Sequence, residues 1–70
     1  MDVEVTIKTK RNLVLRVNLS DKGDWHVFNA KGELVQRYDD FDIANMAVWL
    51  LDRNAEDGPF TVREVKSQAR

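Results

Sequence analysis

Val3, Val5 and Ile7 alternate with Glu4, Thr6 and Lys8, and after the polar stretch "KRN" the alternation resumes at Leu13, Leu15, Val17 and Leu19. A period of two is the strand repeat, in which successive side chains point to opposite faces. Two such blocks joined by a short polar connection predict an antiparallel hairpin with one apolar face. That face has to be covered by whatever the remaining chain folds into. With no cysteine among the 70 residues, no disulfide or zinc knuckle can substitute for a core. The chain reads as one domain, 1–70, of a size that buries only about 60% of its unfolded surface.

The next segments are short. "SDKGD" predicts a turn, "WHVF" a strand, "NAKG" a type I turn with a glycine bulge, and "ELVQRY" the returning strand. Strict alternation puts Phe28, Leu34 and Tyr38 on one face with His26 and Gln36, and Trp25, Val27 and Val35 on the other with Arg37. Ile43, Met46, Ala47, Leu50 and Leu51 then follow the spacing of one helical face. Asp40 or Asp42 supplies the N-cap, and the helix is expected to end near Ala55 or Glu56, with Gly58 as a left-handed cap and Pro59 preventing continuation. "FTVREVK" alternates as a final strand, and "SQAR" is a tail. The predicted class is α+β: a mainly antiparallel sheet, in chain order β-β-β-β-α-β, with one helix on one face. Its expected core is Val5, Ile7, Leu15, Val17, Phe28, Met46, Ala47 and Leu50.

Several kinds of chemistry lack the residues they need. The only histidine, His26, lies inside a predicted strand, and the serines Ser20 and Ser67 fall in a turn and a tail. No cooperating nucleophile and base emerge, so the chain reads as a non-enzyme without a small-molecule substrate. "DDFDIANM" departs from the repeating pattern of a calcium loop, and the three glycines are scattered rather than gathered into a phosphate loop. No metal or cofactor is implied. "MDVEVTIKTK" is unlike the apolar core of a signal peptide, and "MAVWLL" falls short of the about 20 residues that span a bilayer. A soluble, cytoplasmic protein without membrane contact is the expectation.

Binding remains. Residues 1–23 carry a net +2, residues 24–59 a net −5 and residues 60–70 a net +2. The acidic middle gathers Asp39, Asp40, Asp42, Asp52, Glu56 and Asp57 into a candidate rim for docking on a basic protein surface, although the aspartates before the helix are equally explained as its cap. Trp25 and Trp49 are candidate interface anchors or completions of a small core. Lys8, Lys10, Arg11 and Arg16 cluster on the first hairpin, an alternative nucleic-acid surface with Trp25 or Phe28 for stacking.

The segment "WHVFNAKGELVQRYDDFDIANMAVWLLDRNAEDGPFTVREVK" resembles, in plan, small phage proteins that shut down bacterial RNA polymerase. It shares an aromatic-led hairpin, a capped amphipathic helix with a tryptophan, then Gly, Phe, Val and a basic strand. The resemblance implies a contact through bases of the last strand, of which Lys66 matches one by position while Glu64 stands where a further base is expected; Arg63 is a further candidate for binding. The expected function is therefore a non-catalytic binding protein of a phage or mobile element. It would occlude a host machine, such as RNA polymerase or an immune complex, in the host cytoplasm. The alternatives are a nucleic-acid module built on the first hairpin and a self-associating structural subunit.

Overall fold

The computed structural model describes residues 3–19 and 23–65. Its elements are β1 (Val3–Lys8), β2 (Val14–Leu19), β3 (Trp25–Phe28), β4 (Leu34–Tyr38), α1 (Phe41–Asn54) and β5 (Thr61–Glu64). The class is α+β, as the sequence predicts, but the strands form two antiparallel sheets rather than one. β1 pairs with β2, and β3 lies between β4 and β5.

The division is accompanied by hydrogen bonds between distant parts of the chain. The end of β1 is tied to the exit of α1: Lys10 N–H donates to Asn54 O at 2.7 Å, Glu56 N–H donates to Lys8 O at 2.9 Å, and Thr9 bridges Ala55. The first hairpin therefore docks on the helix end instead of extending the other sheet. Its turn is closed by Thr9, whose N–H donates to Leu13 O and whose hydroxyl accepts from the N–H groups of Arg11 and Leu13.

The second hairpin turns as "NAKG" predicts. Gly32 takes φ +83°, and the Asn29 side-chain oxygen accepts from the N–H groups of Lys31 and Glu33. Its faces differ from strict alternation, however. The register slips between Val27 and Phe28, so Val27 lies opposite Gln36 and Phe28 opposite Leu34, leaving Val35 as the extra residue. A bulge of this kind interrupts alternation along the strand. Val35 enters the core, Tyr38 shares the inner side with Trp25 and Val27, and Arg37 joins His26 and Phe28 on the outside.

The helix begins at Asp40, whose carboxylate accepts from Asp42 N–H at 3.3 Å. It ends at Asn54, with Ala55 rather than Gly58 as its cap, because Ala55 is already extended in its bridge to Thr9. The buried face is rotated from the expected one, of which Leu51 meets the core and Ala47 is half-buried while Ile43, Met46 and Leu50 are exposed. Ala44, Val48, Leu51 and Ala55 meet the core, together with Ile7, Val27, Val35 and Phe60. Of the expected core, Ile7 is buried, Val5 and Val17 pack against it and Ala47 is half-buried. Leu15, Met46 and Leu50 are exposed, and half-buried Phe28 lies on the outer side of β3. Alanines at 44 and 55 bring the helix backbone close to the sheet. The larger residues one third of a turn away are thereby displaced outward.

Among the described residues, no helix is long and apolar enough to cross a membrane.

Tyr38 carries one consequence of this packing. Burial raises its pKa above the ordinary 10.0, since the phenolate is poorly solvated there. The folded state thus holds this proton more tightly than the unfolded chain does. Its contribution is intact below about pH 10 and is lost as pH rises through the raised value. Tyr38→Phe is expected to show a smaller loss of urea resistance between about pH 9 and pH 11 than the wild type. Equal losses in both proteins would remove Tyr38 as a cause.

Candidate functional site

Rotation of α1 leaves an unusual surface outside. Ile43, Met46, Trp49 and Leu50 are 54, 64, 66 and 53% exposed. Met46, Trp49 and Leu50 share one side at helical spacing, with Ile43 one turn before them. Asp42 stands at the N-terminal end of this stripe and Arg53 at the C-terminal end, where its guanidinium lies 5.9 Å from the centre of the Trp49 ring. Beside Arg53 opens a shallow hollow reaching Lys10, Arg11, Leu13 and Leu15 at the tip of the first hairpin. Both leucines are exposed, so the apolar surface of the helix has an apolar neighbour. Ile43 reaches a second hollow at the other end, beside Asn18, Tyr38, Asp39 and Asp40.

The acidic residues do not form one rim. Asp39, Asp40 and Asp42 surround the start of α1, and Asp40 is used as its cap. Asp52, Glu56 and Asp57 lie toward the other end of the helix, about 15 Å away along its axis. There, Asp52 accepts from Phe60 N–H at 2.7 Å, and Glu56 approaches Lys8 at 4.0 Å. Asp57 O accepts from Ala30 N–H. This second group has structural partners that the first does not share.

The two tryptophans part company. Trp25 is half-buried on the inner side of β3, its ring 4.8 Å from that of Phe41. Trp49 faces outward. Lys8 and Arg16 project from the outer face of the first hairpin, while Lys10 Nζ donates to Asp52 O, a helix-end carbonyl. Arg63 lies on the outer face of the three-stranded sheet, 4.6 Å over the Phe28 ring. It pairs with His26, which pairs in turn with Arg37, so these three residues form a row across the strands. Lys66 lies outside the described residues.

His26 is engaged through Nε2, which donates to Gly23 O at 3.2 Å. Among the described residues, no three His, Asp or Glu side chains gather as metal ligands would. Four of the exposed large apolar side chains among the described residues, Ile43, Met46, Trp49 and Leu50, lie on the outer face of α1.

The chain matches no known protein family, curated protein or solved structure.

The sequence signals Trp49 at the edge of an apolar stripe, but it assigns Ile43, Met46 and Leu50 to the interior. The signal that separates them is a second apolar series, Ala44, Val48, Leu51 and Ala55, whose smaller members permit the closer approach to the sheet.

Proposed function

We propose that the protein is a non-catalytic protein-binding domain whose contact surface is the outer face of α1. One observation carries this: Ile43, Met46, Trp49 and Leu50 stay exposed in a domain too small to neglect large apolar side chains. Contiguous apolar surface of this kind, rimmed by charge, is the hallmark of a docking site. Tryptophan and arginine, which meet at the end of the stripe, are the residue types that most often dominate binding energy. Occlusion of a host machine, the genre the sequence resembles, is one form of this function. The apolar stripe would supply affinity, and Asp39, Asp40 and Asp42 would meet a basic surface. Catalysis is not part of the proposal.

The double variant Met46→Lys/Leu50→Lys tests it. Both positions are exposed, so stability should change by no more than about 0.5 kcal/mol per substitution. Immobilised protein would be used for capture from nuclease-treated bacterial lysate. The expected result is a stoichiometric protein retained by the wild type and lost from the double variant at unchanged circular dichroism. Retention that survives both lysines would overturn the assignment of the face.

A second reading is favoured by the Arg37–His26–Arg63 row beside Phe28, which offers cations and a ring on one sheet surface. It is a nucleic-acid surface separate from the first hairpin. Retention abolished by nuclease, with affinity falling steeply in salt, would move the assignment there.

A further inference from the structure

We infer that the outer face of α1 is self-complementary and takes a second copy of this chain, with the two helices antiparallel across a two-fold axis. The inference rests on the reading of that face as a contact surface and names its occupant. Asp42, Met46, Trp49 and Arg53 recur at intervals of four, three and four residues, which keeps them on one helical side. The series is acidic at its start, basic at its end and apolar between. An antiparallel copy centred between Ala47 and Val48 places Asp42 of one protomer against Arg53 of its partner. The same operation places Met46 against Trp49, and each contact occurs twice, as a two-fold interface requires.

The surroundings extend the pattern. Asp39 and Asp40 add acid at the N-terminal end of the helix, and Lys10 and Arg11 add base next to Arg53. A parallel arrangement would put like charges together at both ends. The antiparallel arrangement pairs opposite ones, which fixes orientation as well as adding attraction. Leu13 and Leu15, exposed beside the basic end, widen the apolar area beyond the helix itself.

The largest apolar patch on a monomer is typically about 300–600 Å². A standard interface buries about 800 Å² on each partner. A reversible dimer is therefore expected, with Kd of roughly 1–100 µM.

Sedimentation equilibrium of the full chain, from about 1 µM to 500 µM, tests the proposal through charge reversal. The wild type should pass from monomer to dimer as concentration rises. Asp42→Arg and Arg53→Asp should each raise Kd at least tenfold, because each sets like charges together twice. An equimolar mixture of the two variants should recover dimer, since every contact across the mixed pair is again between opposite charges. Circular dichroism of each variant checks that α1 persists.

A wild type that stays monomeric at the highest concentration would overturn the second-copy inference. Loss of a captured protein from Met46→Lys/Leu50→Lys would still uphold the contact face in that case. A dimer unaffected by Met46→Lys/Leu50→Lys would overturn the second-copy inference, and the contact face itself would fall only if the captured protein were also retained. A wild-type dimer whose variants stay monomeric when mixed would refute the antiparallel arrangement.

Discussion

Phe60→Ala is expected to remove a large share of the protein's stability at 25 °C. Phe60 is the largest side chain in the buried cluster, where it joins Ile7, Val27, Val35, Ala44 and Ala55. Its position comes from the connection that precedes it. Asp52, on α1, accepts from Phe60 N–H at 2.7 Å and holds the ring over the core just before β5 begins. Truncating a buried phenylalanine to alanine costs about 3–5 kcal/mol through lost burial and the cavity left behind. A 70-residue domain has a total stability of roughly 4–10 kcal/mol, so the loss consumes between about a third of it and all of it. Urea denaturation followed by tryptophan fluorescence measures this directly. Phe60→Leu, which refills much of the space, should recover most of the midpoint. A loss below about 1 kcal/mol for Phe60→Ala would mean the ring is not a core residue.

Gly23→Ala is expected to be nearly as damaging, for a different reason. Gly23 has φ +118°, and a Cβ placed there would lie 2.5 Å from Tyr38 O. Tyr38 cannot easily withdraw, because it is the cross-strand partner of Trp25 at the end of the second hairpin. The positive φ costs about 1–2 kcal/mol. Forcing the two backbones apart adds about 1–3 kcal/mol. Gly32 provides the control. It also has positive φ, +83°, but a Cβ there meets nothing within 4 Å. Gly32→Ala should therefore show the conformational cost alone, about 1 kcal/mol. Thermal unfolding of the two variants separates the terms. Equal destabilisation would mean that the contact with Tyr38 contributes nothing.

These two positions also mark where local pattern stops informing. The signals for the first hairpin, the Asn29–Gly32 turn and the Asp40 cap are each carried within a few residues, and each forms as the sequence predicts. The need for glycine at position 23 comes from a strand fifteen residues later. The role of Phe60 depends on a carboxylate eight residues earlier and on side chains from four other elements or their ends.

The candidate site divides in the same way. Asp42 and Trp49 are legible as candidates in the sequence, whereas Arg53 enters only through its approach to the exposed Trp49 ring. Which apolar series is outside is not legible. Residues 43–51 offer two overlapping arcs, one of bulky residues at Ile43, Met46 and Leu50, the other begun by Ala44 and continued by Val48 and Leu51. Hydrophobicity favours burying the bulky arc. Shape reverses the choice, since the core already holds Phe60, Val27 and Val35, and the alanine-bearing arc fits against them.

The sequence by itself determined the class, the element order, the Asn29–Gly32 turn and the N-cap of α1, because those depend on periodicity and on interactions between near neighbours; most of the "SDKGD" turn lies outside the described residues. Tertiary structure alone decided the rotation of α1, the bulge that brings Tyr38 inward and Arg37 outward and the separation of the first hairpin into its own sheet. Each of these is a choice between arrangements of similar local energy, and it is settled by packing volume and by hydrogen bonds between residues far apart in the chain.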